Sequence, residues 1–347
     1  MMMEATVIVQ IYNVEKYLRS CFDSLLEQTS KSFSILAVDD GSPDGCPAII
    51  DEYVQNYPER ISCIHKKNGG YGSALSAALK VIETPYFLVC DADDTLEPDA
   101  MEKLLSLAHL SEADIIVGAK YLVYEDSDER VYDCAYNRDF TTLIPNTVYK
   151  KDTDRFQDLF FIDPSPHAKL YRTDLARNLR FPEKVSYTDN LLFYLSLLKA
   201  RNVIYTDEAL ADYLINRTGN SMQDVSYKAM NGEIRVFKSI LTQSGYISNV
   251  PDMFYYRMFE AFKYMLYKTR QMNCTAEEYE ETLDHLETFL KKLLPRGRRI
   301  RRLYARYTKN GIVERVRDDC LLNKRLEKRA YADMKKKMSA SYREGLA

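Results

Sequence analysis

The sequence predicts an α/β protein with a mostly parallel sheet, helices on both faces of that sheet, and a mainly helical C-terminal region. Between residues 7 and 119, short apolar runs typical of buried strands alternate with patterns typical of helices. This alternation favours parallel strands joined by right-handed crossovers. From about residue 225 the apolar residues recur at helical spacing. The length of 347 residues favours two domains, and we expect them at residues 1–222 and 223–347.

The first half of the sequence contains the alternating elements. The predicted strands are Val7–Tyr12, Ser34–Val38, Ile61–Ile64, Tyr86–Cys90 and Asp114–Ala119. The helices expected between them are Glu15–Leu26, Pro47–Asn56, Ser73–Ile82 and Asp99–Ala108. Asn13 is the expected N-cap of the first helix, because its side chain can accept a hydrogen bond from a first-turn N–H group.

The second half is less regular until it becomes helical. Residues 121–163 hold charged turns and a predicted hairpin. Further elements are a helix from about Thr173, a helix at Leu191–Ala200, a strand at Val203–Tyr205 and an extended segment at Asp212–Asn216. The C-terminal helices are expected at Ser226–Ser244, Pro251–Met272, Ala276–Leu294 and Lys324–Met338.

Two turns follow the second and third strands. Asp39–Gly45 is rich in Asp, Gly and Pro, and His65–Ser73 contains three glycines. A glycine turn at a helix N-terminus lets backbone N–H groups approach an anion, although a tight strand-to-helix connection explains the same residues. Neither the GxxxxGK[ST] nor the GxGxxG pattern is present, so a P-loop and a dinucleotide-binding motif are not indicated.

The strand at Tyr86–Cys90 runs directly into Asp91, Asp93 and Asp94. Alternation along an extended chain places the side chains of Asp91 and Asp93 on the same side. Two carboxylates at that spacing suit a divalent cation that keeps positions open for a diphosphate. The carboxyl end of a strand is also where open α/β sheets bind ligands. The alternative is a polar turn that caps the following helix.

The stretch Lys291–Lys309 carries nine basic residues and no acidic one. A solvated helix face, an anionic membrane surface and nucleic acid are the three interpretations, with nucleic acid least favoured because the net charge of the whole chain is −3. We therefore expect no nucleic-acid partner. The helical region is expected to make acceptor, homo-oligomer or membrane-surface contacts.

Cysteine usage and the N-terminus bear on the compartment. The seven cysteines are scattered and show no CxxC pair, which is typical of reduced thiols in a cytosolic protein. The N-terminus has no signal-peptide pattern, and the longest apolar run is too short for a membrane span. The expected location is cytoplasmic, extending to the inner face of the cell membrane if the basic stretch binds lipid.

Four ordered segments resemble one family. They are Val7–Leu18, Val38–Gly45, Lys67–Gly72 and Asp91–Asp94, and in this order and spacing they are similar to the family 2 glycosyltransferases of the GT-A, Rossmann-like fold, of the bacterial cell-surface glycan type. A weaker match continues to about Ser221. The helical C-terminal third is not covered by the resemblance.

The resemblance implies an enzyme that takes a sugar from a nucleotide diphosphate sugar, UDP-linked for this type, and passes it to a hydroxyl of a glycan, lipid-linked or protein acceptor with inversion. It implies that Asp93, together with Asp91, holds Mn²⁺ or Mg²⁺, and that Asp189 is the catalytic base. The family often has Glu-Asp where this chain has Thr188-Asp189, and composition alone favours a helix N-cap there. The nucleotide-sugar contacts implied are Gln10, Tyr12, Asp39, Asp40, Asn68, Gly69, Gly70, Asp91, Ala92, His167 and Arg217.

Two alternatives to a glycosyltransferase remain from the sequence. A sugar-phosphate nucleotidyltransferase usually carries a basic glycine loop after its first strand, whereas here that strand leads into Tyr12-Asn-Val-Glu-Lys16. An inactive scaffold subunit of a membrane glycan-assembly complex would not need Asp91, Asp93 and Asp189, which are all present.

Overall fold

The structure is a computed structural model that describes residues 3–127, 129–217, 224–307 and 312–346. The chain forms two compact units, Met1–Ser221 and Met222–Ala347. The first unit contains the sheet and the second is built from helices.

One sheet of ten strands runs through the described part of the first unit. Its strands are β1 Ala5–Ile11, β2 Phe33–Asp39, β3 Ile61–His65, β4 Tyr86–Asp91, β5 Thr95–Leu96, β6 Ile115–Tyr124, β7 Arg130–Asp133, β8 Thr147–Lys150, β9 Lys169–Arg172 and β10 Asn202–Ile215. The helices of this unit are α1 Glu15–Leu26, α2 Cys46–Asn56, α3 Tyr71–Val81, α4 Ala100–Ser111, α5 Thr173–Ala176 and α6 Asp189–Lys199, with a 3₁₀ helix at Asp154–Phe161.

The strand order is β3-β2-β1-β4-β9-β6-β10-β5. Strands β1 to β4 are mutually parallel, and β6 is parallel to β10. The mixed α/β fold with a helical C-terminal region agrees with the prediction. The difference from the prediction is β9, which pairs antiparallel with both β4 and β6. It therefore lies between two strands that would be expected to pair with each other from their order in the sequence.

The first four helices are divided between the two faces of the sheet. Val7 and Val9 of β1 share a core with buried residues of α1, α2 and α4. Helix α3 contacts β1 and β2, and its buried residues lie outside that core, so it covers the opposite face. Helices on both faces leave the carboxyl ends of the strands as the open edge.

Several local predictions are corrected. Asn13 adopts φ 56° instead of capping α1, whose N-cap residue is Val14. The Glu15 N–H at the start of α1 is bonded instead by Oδ2 of Asp44 at 3.0 Å, so a neighbouring loop supplies the capping carboxylate. The two extended segments near residues 203 and 212 are one long strand, β10, whose pairing with β6 is interrupted by bulges. The hairpin predicted in the middle section is confirmed as β6–β7.

The second unit is a set of packed helices. They are α7 Tyr227–Ser244, α8 Asp252–Thr269, α9 Ala276–Leu293, α10 Gly297–Tyr307, α11 Ile312–Leu321 and α12 Glu327–Leu346. Helix α11 is absent from the sequence-based prediction. Across the ranges that the structure describes, no helix has the length and apolar character needed to span a bilayer.

Helix α10 holds most of the basic stretch. Its Ile300 and Tyr304 are buried in the helical unit, whereas Arg298, Arg302 and Arg306 are exposed. Lys309, the end of the predicted basic segment, lies outside the described residues. The apolar face of α10 is therefore already used in packing, and the exposed face is cationic.

Candidate functional site

The carboxyl ends of β1, β2 and β4 meet at one edge of the sheet. In register, Gln10 of β1 lies opposite Asp91 of β4, and Ile11 lies opposite Asp39 of β2. Because the strands are parallel, the acidic turns that follow β2 and β4 flank the end of β1. The acidic turns after β2 and β4 therefore lie together at one edge of the sheet.

Asp40 closes the glycine turn. Its buried carboxylate accepts hydrogen bonds from the N–H groups of Gly69 at 3.0 and 3.2 Å and of Gly70 at 2.6 Å, and it pairs with Lys66. Gly70 has φ 84°, and a Cβ there would lie 3.0 Å from backbone atoms of Lys184, so glycine is required at this position. The anion that the turn binds is thus an internal carboxylate.

Asp39 is held on the other side of the same turn. Its Oδ1 accepts the N–H of Ser42 at 2.8 Å, and its Oδ2 lies 3.0 Å from Nδ1 of His65. Tyr12, just beyond β1, is 50% exposed, and Asn68 is also exposed. This end of the site therefore offers an accessible aromatic ring beside two fixed carboxylates.

The acidic segment after β4 is a turn. The strand ends at Asp91, and the N–H of Asp94 bonds the carbonyl oxygen of Asp91 at 3.0 Å, so the extended backbone assumed for Asp91 and Asp93 ends at Asp91. The Asp91 carboxylate accepts the hydroxyl hydrogen of Tyr71 at 2.9 Å. The Asp93 carboxylate pairs with Arg217. Ala92, between Asp91 and Asp93 in the sequence, is buried.

Asp94 and His167 form a buried pair below this turn. The Nε2 atom of His167 lies 2.8 Å from Oδ2 of Asp94, and the N–H of Leu214 donates to Oδ1 at 2.8 Å. Burial and the charge of Lys120 lower the pKa of His167 to about 3, so the ring is neutral at pH 7. Burial and the charge of Asp93 raise the pKa of Asp94 well above its usual range.

Asp189 begins α6, with Thr188 as the N-cap residue. Burial, which outweighs the hydrogen bond from the Asn190 backbone, raises the pKa of the Asp189 carboxyl to about 6. Burial together with the charges of Asp91 and Asp189 raises the pKa of Tyr71. A Cβ on Gly72 would lie 3.0 Å from Cγ2 of Thr188, so the start of α6 packs against the start of α3, where Tyr71 bonds Asp91. The fold therefore brings Asp91 and Asp189 to the same edge although 98 positions separate them in the sequence.

A buried charge network that was not predicted from the sequence is built around Lys120 and Lys169. Lys120 pairs with Asp133 at 3.1 Å and with Asp163 at 2.9 Å, and Lys169 donates to the carbonyl oxygen of Ser165 at 2.6 Å. Both lysines are almost fully buried. Burial, only partly offset by the charge of Asp163, lowers the pKa of Lys169 to about 7. A lysine within an otherwise apolar run was the available signal.

Three buried polar groups at this edge have no hydrogen-bond partner among the described residues. They are both amide atoms of Gln10, the hydroxyl of Thr188 and Nδ1 of His167. Gln10 is only 8% exposed, and it lies opposite Asp91 in the sheet. An unpaired buried polar group costs free energy unless a ligand satisfies it. These atoms are therefore unsatisfied polar groups at this edge of the described structure.

The acidic groups fit a divalent cation. Ligand atoms of Asp91, Asp94 and His167 lie within 4.8 Å of one another. Burial and the charge of Asp94 raise the pKa of Asp91 to about 7. The positive groups near this turn therefore do not fully compensate the negative charges of its carboxylates. Neutral imidazole and carboxylate oxygens are ligands that Mn²⁺ accepts. The structure thus adds Asp94 and His167 as neighbours of Asp91, while Asp93 faces Arg217.

Comparison with known proteins agrees with this architecture. Residues 6–180 match the family model "Glycosyl transferase family 2". Glycosyltransferase GlyA of Streptococcus pneumoniae is 32% identical over 222 residues, which are 61% of this chain and 30% of GlyA. The uncharacterized glycosyltransferase EpsJ of Bacillus subtilis is 31% identical over 229 residues, 64% of each chain. This chain thus aligns with less than two thirds of the length of either relative.

A solved structure shares the fold. Residues 1–349 of S. aureus TarS, crystallised with UDP-GlcNAc, superpose with a TM-score of 0.72 at 20% identity, covering 99% of this chain and 92% of that one. The likeness at this identity concerns the fold and spans both units of the chain. Because the family model covers half of the sequence, the chain belongs to glycosyl transferase family 2.

Proposed function

We propose that the protein is an inverting glycosyltransferase that moves a sugar from a UDP-sugar to a hydroxyl of a glycan, lipid-linked or protein acceptor. The observation that carries the proposal is the packing of the start of α6 against the start of α3: Thr188, next to Asp189, lies against Gly72, and Tyr71 beside it donates its hydroxyl hydrogen to Asp91 at 2.9 Å. The carboxylate at the strand end is proposed to act on the donor side and the carboxylate at the helix start on the acceptor side.

The donor is proposed to bind along the ends of β1 and β2. The unpaired amide of Gln10 offers both a donor and an acceptor for a nucleobase edge, and the exposed ring of Tyr12 offers a stacking surface. Asp39 and Asp40 hold the turn against which the base and ribose would lie. TarS was crystallised with UDP-GlcNAc, and we extend a UDP-sugar donor to this chain on the shared fold.

A divalent cation, Mn²⁺ or Mg²⁺, is proposed at the acidic turn. When bound, it would neutralise the diphosphate and stabilise the charge that develops on the leaving group. Asp91 and Asp93 are the proposed ligands, and Asp94 and His167 lie beside Asp91 as further ligands. Arg217, now paired with Asp93, supplies a second positive charge at the same turn.

Asp189 is proposed to act as the base. It would accept the proton of the acceptor hydroxyl while that oxygen bonds to the anomeric carbon, and the bond from this carbon to the diphosphate oxygen would break with its electron pair. A pKa of about 6 leaves the carboxylate mostly ionised at pH 7 yet still basic enough to take a proton. Attack on the face opposite the leaving group inverts the anomeric centre.

The helical domain, residues 223–347, is proposed to contact the acceptor, a second copy of the chain or an anionic membrane surface at the cytoplasmic side. Residues 222–347 contain 26 Lys and Arg against 16 Asp and Glu, whereas residues 1–221 contain 22 against 35. Such charge asymmetry favours an anionic partner for the helical unit. The exposed arginines of α10 are the proposed contact.

The family membership favours sugar transfer over the nucleotidyltransferase alternative. A thermal-shift screen of nucleotide sugars with Mn²⁺ tests the donor, because a ligand that binds the folded state raises Tm. A UDP-sugar is expected to give the largest shift, and turnover of the selected donor separates an enzyme from an inactive scaffold. Equal shifts for all nucleotide sugars, or none, would contradict the proposed donor.

A further inference from the structure

A second cluster of side chains of metal-binding types lies on α2 and β3, and it shares no residue with the acidic turn after β4. Asp51 of α2 and Cys63 and His65 of β3 bring their ligand atoms within 4.8 Å of one another. Cys63 and His65 are two positions apart on a strand and therefore share a face. Helix α2 packs on β3, which brings Asp51 to the same face.

The orientation of His65 is fixed from outside the cluster. Its Nδ1 lies 3.0 Å from Oδ2 of Asp39, which is itself buried and held by the N–H of Ser42. Its Nε2 is directed towards Asp51, 3.2 Å from Oδ1. A carboxylate on one ring nitrogen, with the other nitrogen directed at further ligands, is the arrangement in which metal-binding histidines usually occur.

The cluster is open to solvent. The side chains of Asp51 and His65 are 71% and 38% exposed, and Cys63 is partly exposed. An ion can therefore enter, and water can occupy the position that three protein ligands leave free. One sulfur, one imidazole nitrogen and one carboxylate oxygen form the kind of ligand set that zinc accepts in tetrahedral sites.

We propose that Asp51, Cys63 and His65 bind a transition-metal ion of the zinc class. Binding releases two protons to the buffer, one from the Cys63 thiol and one from Nε2 of His65, whose two ring nitrogens both face carboxylates in the metal-free chain. The metal then bonds the sulfur, Nε2 and a carboxylate oxygen of Asp51, and the Asp51–His65 contact is lost. The sulfur ligand separates this site from the oxygen-rich cation site at Asp91, because soft ligands select zinc over Mg²⁺. The ion would tie α2 and β3 to Asp39 through His65.

Cobalt substitution tests the proposal on the unaltered protein. Co²⁺ added to the metal-free chain is expected to give tetrahedral absorption and a sulfur-to-cobalt charge-transfer band that saturates at one equivalent, and zinc is expected to abolish both signals. Further Co²⁺ bound at the oxygen-rich acidic turn would add no sulfur band. A cobalt spectrum without the sulfur band, or a sulfur band that does not saturate at one equivalent, would overturn the proposal.

Variants assign the ligands. Cys63→Ser and His65→Gln are each expected to weaken zinc affinity by more than about 100-fold, because losing a ligand exceeds the 10–100-fold cost of losing an outer partner. Cys274→Ser, a partly exposed cysteine of the helical unit, and Asp93→Asn are matched controls that should leave zinc affinity unchanged. Loss of zinc in Asp93→Asn with retention in Cys63→Ser would assign the ion to the acidic turn instead.

Discussion

Gly70 donates its N–H to the carboxylate of Asp40 at 2.6 Å, and this contact decides what the glycine turn does. The same carboxylate accepts the Gly69 N–H and pairs with Lys66. The amides that the sequence offered for a bound phosphate are therefore occupied by a side chain from the neighbouring turn. Two acid- and glycine-rich loops are locked together before any ligand arrives.

Asp40→Ala should destabilise the fold. It leaves two N–H groups of the glycine turn without their acceptor, and an unsatisfied buried group costs about 1–3 kcal/mol. Chemical denaturation measures the free energy of unfolding. Glu52→Gln, which removes an exposed pairing with Arg19, is the control and should change stability by less than about 0.5 kcal/mol. Equal effects of the two substitutions on the free energy of unfolding would show that Asp40 does not stabilise the glycine turn.

Asp189→Asn should strongly reduce turnover and leave binding of the sugar donor unchanged. The amide keeps the size of the side chain and cannot take a proton, so we expect kcat to fall by about 10²–10⁴-fold with little change in UDP affinity. In the unaltered enzyme, kcat should rise with pH through about 6, the pKa of Asp189, because the base must be ionised. Normal turnover in the variant would place the base elsewhere.

Stability should depend on pH and cation through Asp91. Its folded-state pKa of about 7 is raised above the unfolded value, so its contribution is full below the unfolded pKa and is lost as pH rises through 7. Mn²⁺ should therefore raise Tm more at pH 8 than at pH 5, where protons compete with the ion. Asp91→Asn should reduce both the pH dependence and the Mn²⁺ shift. A shift in Tm that is the same at both pH values would contradict this.

Gln10→Leu should separate stability from binding. The amide is buried without a partner, so an apolar side chain of similar size is expected to leave the free energy of unfolding unchanged or higher. UDP affinity should fall by about fivefold, because one net hydrogen bond is worth about 1 kcal/mol and about 1.4 kcal/mol corresponds to tenfold. Calorimetric titration and denaturation measure the two quantities. Unchanged UDP affinity would show that the amide does not contact the nucleotide.

Removal of the exposed α10 arginines should weaken association with anionic liposomes. Replacing Arg298, Arg302 and Arg306 by Gln removes three charges from the exposed face, and the buried Ile300 and Tyr304 leave no apolar face to insert. Binding should also fall with salt, because the Debye length shrinks from about 10 Å at 0.1 M to about 3 Å at 1 M. Co-sedimentation measures it.

The matched control for that experiment is Lys324, Arg325 and Lys328 replaced by Gln, which removes the same charge from other exposed positions. An equal loss in both triple variants would assign the effect to overall charge. No loss in the α10 variant would favour the solvated-face interpretation.

The sequence alone determined the alternation of strands and helices, because a parallel strand must bury an apolar run and a helix must bury one face every 3.6 residues. It also marked Asp39, Asp40 and Asp91, since charged residues at the ends of apolar runs lie at the open edge of a sheet. Asp189 was implied only by the family resemblance, because the residues around it favour a helix N-cap.

Only the tertiary structure decided which of these residues meet. Strand order places β9 between β4 and β6. The packing of loops brings Asp40 to Gly70, and His167 to Asp94 across 73 positions. The same holds for the burial of Lys120 and Lys169. Local periodicity reports which face of an element is apolar, whereas partners between distant segments are chosen by the whole packed chain, and no local pattern carries that choice.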